Sequence, residues 1–309
     1  MSSNQDDFIN LFDDYLKNER GYSKNTVTAY LKDLAEFEAF LQENGGFSGW
    51  DKVQTRDAEI FLQNLASQSL ARTTQSRKMS SLRSFYNFLI KRKLITQDPM
   101  QTVSLRLGQK RLPQFFYEKQ VKQVLDQLRQ NSDDLSKRNL ALFELFYATG
   151  MRLSEISNLI LDQIDFDLKL ILVHGKGNKD RYVPFSDSTD KALKAYLDQS
   201  RKDLLKTNSD NNYVFLNDQG KKLTSRGIEY VMQKVFNKAG IPGKVHPHML
   251  RHTFATQMLN NGADLRSVQE LLGHESLSTT QIYTHVTMKH LQTDYQKFFP
   301  RNNKENEAK

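Results

Sequence analysis

Through the first hundred positions apolar residues recur three and four apart, and that spacing predicts helices. Phe8, Ile9, Phe12 and Leu16 share a face over 6–18. Val27, Tyr30, Leu31, Leu34, Phe37 and Leu41 continue the pattern after Ser23 and Asn25, two residues able to cap a helix, and Gly45-Gly46 ends it. Thr55 is the expected cap of a third helix carrying Ile60, Phe61 and Leu65, and Met79, Leu82, Phe85, Tyr86, Leu89 and Ile90 form the buried stripe of a fourth. Four helices over roughly 100 residues make a compact bundle. The periodicity fails at LGQKRLPQFF, where glycine, proline and basic residues cluster as in a linker.

The remainder is mixed. Helices are expected over 117–128 and 135–148, after which QIDFDLKLILVHGKGNKDRYVPF alternates with a period of two, as a β-hairpin with Asn178 and glycines at its turn. Helical spacing returns over 190–205, over 225–238, in HPHMLRHTFATQMLNNG and in DLRSVQELLGH, with Asp264 at the start of the last and Gly273 at its stop. Ser278 and Gln281 have the spacing of a capping box, which would place Tyr283 in the first turns of a short helix. Met288, Leu291, Tyr295 and Phe298 follow as one apolar face of a terminal helix. The expected domains are therefore a helical unit over 1–107, a linker over 108–116, a mixed unit over 117–300 and a polar tail over 301–309.

Composition narrows the function. With 38% hydrophobic and 26% charged residues and no run near the roughly 18 apolar positions a membrane span needs, the chain reads as soluble. Acids in MSSNQDDFIN, where a signal peptide would carry positive charge, point to a cytoplasmic protein with no membrane partner. The absence of cysteine excludes disulfides, thiolate nucleophiles and cysteine-held zinc. Lysine and arginine number 44 against 36 acids, a net charge of +8. Between positions 71 and 93 there are seven basic residues, Arg72, Arg77, Lys78, Arg83, Lys91, Arg92 and Lys93, and no acid. Such a stripe is either a solvated helix face or a surface for a polyanion, on which Arg72, Arg77, Lys78 and Arg83 would contact DNA.

Five local features bear on chemistry, and each has an ordinary structural reading beside it. Arg152 and Glu155 in ATGMRLSEI form a structural pair or clamp an anion at a helix start. Lys176 in GKGNKDR is a solvated turn residue or a mobile ammonium reaching into a cleft; no G-x-x-x-x-G-K-[ST] occurs, which argues against a P-loop ATPase. His248 and Arg251 in HPHMLRH, three apart, can address one point. Zinc is the rival use of His246, His248, His252 and His274, but the spacing is not H-E-x-x-H and no metal is expected. His274 in LLGH stands at a helix corner, and Tyr283 is a core aromatic or a nucleophile.

Together these residues suit attack of a tyrosine on a phosphodiester. Arginines hold the non-bridging oxygens and neutralise charge in the pentavalent transition state. A histidine takes the phenol proton, needed because a free phenol has a pKa of about 10, and a lysine protonates the leaving 5′ oxygen. A phosphotyrosine conserves the bond energy for resealing, so no nucleotide or other cofactor is required.

In this order, Arg152 in ATGMRLSE, Lys176 in GKGNKDR, His248 and Arg251 in HPHMLRH, His274 in LLGH and Tyr283 in STTQIYTH, the chain resembles the tyrosine recombinase (phage integrase) family over nearly its whole length. VQELLGHESLSTTQIYTHV is similar to the Xer subgroup. The resemblance implies a mainly α fold with a small β-hairpin or sheet in the C-terminal domain, and a two-domain clamp on DNA built from a core-binding and a catalytic domain. It implies site-specific recombination through a 3′-phosphotyrosyl intermediate, resolving chromosome dimers at a dif-type site before cell division. Tyr283 would be the nucleophile, Arg152 and Arg251 the phosphate clamps, Lys176 the general acid, His248 the base, His274 a hydrogen-bonding stabiliser and Glu155 an accessory acid. The implied partners are double-stranded DNA, a homologous recombinase in a tetrameric synapse and a septal DNA translocase, with the terminal helix docked in a neighbouring subunit. The rivals are the integrase of a mobile element, a type IB topoisomerase and a DNA-binding protein without catalysis.

Overall fold

The computed structural model describes residues 3–103, 115–131, 133–175, 180–205, 211–273 and 285–300, with the backbone alone for 3–6 and 285–291. The chain divides into two compact units, Met1–Arg111 and Leu112–Lys309.

The first unit is all helical: α1 (Ser3–Asp14), which runs on through a wider π turn (Tyr15–Glu19), α2 (Lys24–Glu43), α3 (Thr55–Ser67) and α4 (Arg72–Lys91). Ser23 caps α2 as expected, its hydroxyl accepting from the Thr26 N–H at 3.3 Å. The third helix begins differently: Gln54 is its cap, its backbone N–H held by Asp57 at 2.9 Å, and Thr55 is already the first helical residue. The core is a set of edge-on aromatics. Phe85 of α4 meets Phe12 at 5.2 Å and Trp50 at 4.9 Å between ring centres, near the favoured T geometry. The Tyr86 hydroxyl closes the layer on the Trp50 carbonyl at 3.3 Å, and burial pushes its pKa far up.

The second unit is built around α6 (Asp134–Thr149), every residue of which from Ala141 onward is buried. A helix apolar on all sides belongs inside a layered domain, and α5 (Glu118–Arg129), α8 (Asp187–Ala195) and α11 (Pro247–Asn260) pack around it. Its one acid in this stretch, Glu144, is buried but satisfied, by Arg129 at 2.6 Å and Ser188 at 3.2 Å. Phe116 belongs to this unit: its ring is buried beside Phe236 and its N–H donates to Thr253 at 2.8 Å. The expected linker is therefore shorter at this end, because an aromatic side chain gains more from the core than from solvent; residues 104–114 lie outside the described ones.

The expected hairpin carries an extra short strand. Strands β1 (Ile164–Asp165), β2 (Leu170–His174) and β3 (Asp180–Pro184) form an antiparallel sheet in that order, with Val173 opposite Arg181 and His174 opposite Asp180. The helix expected over 190–205 starts earlier, because Ser186 caps it by accepting from the Thr189 N–H at 3.3 Å. A π turn (Tyr196–Ser200) separates α8 from α9 (Arg201–Leu205). The remaining helices are α7 (Leu153–Asn158), α10 (Ser225–Lys238), α12 (Leu265–Leu272) and α13 (His285–Phe298).

The described half of α13 packs on its own unit. Tyr295 and Phe299 are buried and stack at 5.0 Å, Phe299 lies 5.4 Å from Tyr147 of α6, and Asn261 donates to the Phe298 carbonyl at 2.8 Å. Among the described residues of this segment, Tyr295 and Phe299 are covered within the unit more fully than Phe298.

A candidate phosphate site at the end of α12

The loop from α6 to α7 brings the first arginine into place. Gly150 closes α6 in the left-handed conformation (φ 57°), and a Cβ there would sit 2.6 Å from the Phe254 ring and 2.9 Å from Leu272. No other residue permits both the turn and the close approach of α11 and α12. Arg152 follows as the cap of α7, and Glu155 reaches back to its N–H at 2.7 Å. A short helix thus begins with its own acid folded over the cap.

Three arginines then converge on the last turn of α12. Arg181 Nε donates to the Leu271 carbonyl at 3.1 Å, Arg251 Nη2 to Leu272 at 2.7 Å and Arg152 Nη2 to Gly273 at 2.8 Å. Arg251 also holds the Gly150 carbonyl at 2.7 Å. These carbonyls are those a helix leaves unpaired at its C-terminus, where the dipole favours cations. They orient the guanidiniums without cancelling their charge.

Glu155 is the single acid in this group. Burial alone would raise its pKa, but hydrogen bonds and charge from Arg181, with further bonds from Arg152, hold it down to about 2. It stays a carboxylate and offsets one of three positive charges. Arg251 sits in the opposite situation: burial first, then the nearby Arg152 charge, bring its pKa down to about 10. It is still cationic at neutral pH, and an anion brought against the cluster would relieve the repulsion. Arg152, with 41% of its side chain exposed, is the member that an incoming phosphate can reach.

Of the residues singled out in the sequence, Arg152, Glu155 and Arg251 are thus brought together. His248 lies near the start of α11 and is exposed, whereas Arg251, three residues on, points inward. His246 is exposed and His252 meets the Phe115 ring edge-on at 6.0 Å. Among the described residues no three histidine or acidic side chains gather as a metal would need. Lys176, His274 and Tyr283, and the Ser278–Gln281 box, lie outside the described residues.

Arg181 was not singled out, although it ends GKGNKDR. Its signal was in the alternation: in β3, Arg181 and Val183 face inward while Asp180 and Tyr182 face out. A charged residue on the inward face of a strand needs a buried partner, and that partner is Glu155.

On the first unit the basic stripe divides. Lys78 is buried and paired with Glu36 and Asp33, and Arg77 pairs with the same Asp33, whose second bond comes from Ser81 at 2.7 Å. Arg83 donates to the Val103 carbonyl at 2.6 Å, Arg92 pairs with Glu19, and Arg72 is exposed. The acids lie on other helices, which is why the stripe reads as uncompensated along the chain. Lys78 therefore serves as an internal countercharge, which corrects its reading as a surface contact.

A helical unit is thus followed by a mixed unit that gathers three arginines beside a helix end, an arrangement able to hold a phosphate. The chain belongs to the phage integrase family: residues 114–290 match that family and residues 9–93 match the phage integrase N-terminal SAM-like domain. By class it is a site-specific tyrosine recombinase. Among its relatives, the tyrosine recombinase XerC of Lactobacillus delbrueckii subsp. bulgaricus is 57% identical, covering 93% of this chain and 97% of that protein. XerC of Lacticaseibacillus casei is 50% identical over 96% of this chain and 99% of that one. Among solved structures, XerH site-specific recombinase bound to difH substrate in a pre-cleavage complex superposes with a TM-score of 0.62 at 25% identity, covering 87% of this chain and 77% of that one. The Tn1549 transposon integrase with transposon right-end DNA gives 0.70 at 19% identity, covering 94% and 99%, a likeness of fold.

Proposed function

We propose that this recombinase acts on a dif-type site, resolving chromosome dimers in the cytoplasm before cell division, with a homologous partner recombinase in a tetrameric synapse and a septal DNA translocase as regulator. The likeness to proteins named XerC over nearly the full length supports the assignment. Among the described residues no helix is long and apolar enough to cross a membrane.

The observation that carries the chemistry is the convergence of Arg152 and Arg251 on adjacent carbonyls at the end of α12. There they would hold the non-bridging oxygens of the scissile phosphate. The Tyr283 oxygen attacks phosphorus as His248 accepts its proton, and His274 donates to a non-bridging oxygen. The bond from phosphorus to the 5′ oxygen breaks, Lys176 protonates that oxygen, and a 3′-phosphotyrosyl bond remains. Resealing is the reverse attack by a 5′ hydroxyl from the partner strand. In the first unit, Arg72, Arg77 and Arg83 would face the DNA backbone.

The test is a nicked dif-containing duplex on which cleavage releases a short fragment and traps the covalent complex. The wild-type chain is expected to form a protein–DNA adduct without metal or nucleotide. Tyr283→Phe should bind the duplex and form none. An adduct with the phenylalanine variant would place the nucleophile elsewhere, and equal adducts on unrelated DNA would remove the site assignment.

A further inference from the structure

Arg181 has no part in the reaction just described, yet its bonds reach both halves of the phosphate site. Its side chain is 5% exposed, on the inward face of β3. Nη1 and Nη2 meet the two Glu155 oxygens at 2.9 Å each, and Nε meets the Leu271 carbonyl at 3.1 Å. Glu155 is held from the other side by Arg152: Oε1 accepts from Arg152 Nη1 at 2.9 Å and Oε2 from the Arg152 N–H at 2.7 Å. Each carboxylate oxygen therefore takes one donor from each arginine. The buried arginine fixes the acid, and the acid fixes the arginine that solvent and DNA can reach.

Gly273 reports the same closeness. It ends α12 in the left-handed conformation (φ 66°), and a Cβ there would lie 3.0 Å from the Arg181 side chain. The Arg181 guanidinium thus packs directly under the residue whose carbonyl receives Arg152.

We infer that Arg181 is a positioning residue for the phosphate clamp: through Glu155 it sets the rotamer of Arg152, and through the Leu271 carbonyl it sets the helix end against which Arg152 and Arg251 both bond. An exposed arginine left unbraced spreads over many rotamers and meets a phosphate in the right geometry only part of the time. Lysine cannot replace the brace, because one ammonium does not span both carboxylate oxygens in a fixed fork and still reach Leu271. The inference rests on the proposed role of Arg152 as a phosphate clamp.

The experiment measures single-turnover cleavage of the nicked duplex by the full chain with an ordinary scissile phosphate and with a methylphosphonate, which lacks one charged oxygen and so needs less neutralisation. Arg181→Lys is expected to keep its melting temperature and its affinity for DNA while cleaving the ordinary phosphate on the order of 10- to 100-fold more slowly. On the methylphosphonate most of that loss should be regained, as it should for Arg152→Ala. A purely structural Arg181 predicts the same fractional loss on both substrates, and that result overturns the inference. Should Arg181→Lys melt early, Glu155→Gln is expected to show the same slower cleavage and the same regain on the methylphosphonate, read well below its own melting temperature, and the double variant should be no slower than the slower single one; additive losses would also overturn it. If Arg152→Ala cleaves the ordinary phosphate at the wild-type rate, it is the clamp reading that fails.

Discussion

Arg251 donates through Nη1 to the Gly150 carbonyl at 2.7 Å, tying α11 to a turn 101 residues earlier in the chain. The bond requires the Gly150 carbonyl to point back at α11, which the left-handed turn provides. Gly150→Ala adds the left-handed penalty of about 1–2 kcal/mol and an overpacking cost of about 1–3 kcal/mol against Phe254 and Leu272. Gly240→Ala has a similar φ, 70°, with open space around the new methyl, and should incur only the first penalty. Urea titrations followed by circular dichroism compare the two; equal losses would show that the contact with Phe254 contributes nothing.

The depressed pKa of Glu155 fixes the sign of a pH effect. The group goes from an ordinary value of 4.5 to about 2 on folding, so its contribution to stability is present above about pH 4.5 and is lost as pH falls through about 2. Its magnitude is at most about 3 kcal/mol. Glu155→Gln should flatten that part of the acid limb of a stability-versus-pH curve, leaving the region above pH 6 parallel to wild type. An unchanged acid limb would mean that other carboxylates carry it.

Lys78 and Arg72 should separate in their effects. Asp33→Asn strips the buried Lys78 of one countercharge and should destabilise the helical unit by on the order of 2–3 kcal/mol. Trp50, the chain's one tryptophan, is buried in that unit and reports its unfolding by fluorescence. Arg72→Ala should leave the Trp50 transition in place and reduce the slope of log affinity against log salt by about 1. A changed salt slope in Lys78→Met, with unchanged stability, would restore Lys78 as a DNA contact.

Lys176 has the sharpest chemical test. As general acid its loss in Lys176→Ala should slow cleavage by on the order of 10²- to 10⁴-fold with DNA affinity intact. Replacing the bridging 5′ oxygen by sulfur supplies a leaving group that needs no proton, so the alanine variant should then approach the wild-type rate. Arg152→Ala should not be rescued, because charge and not a proton is missing. Failure of both variants on the sulfur substrate would take the general-acid role from Lys176.

Much of the architecture was legible along the chain because it depends on neighbours. Periodicity and caps marked the helices: Ser23 for α2, Asp264 and Gly273 for the two ends of α12, the full span of α10. Glycine at 150 marked the turn before Arg152. Phe116 and the start of α8 were placed less well, since one depends on a distant pocket beside Phe236 and the other on which of several polar residues caps.

The sequence by itself determined which residue types were present to handle a phosphodiester, their order along the chain and hence the family they resemble. It also determined that Arg181 and Val183 share one face of β3, since alternation follows from strand geometry alone. Only the tertiary structure decided which charges are spent inside the protein. Asp33 and Glu36 reach Lys78 from another helix, and Glu155, held by Arg152, meets Arg181 across 26 residues. The physical reason is that pairing depends on distance in space at low dielectric, and residues far apart in sequence acquire that distance only when the helices and the sheet have packed.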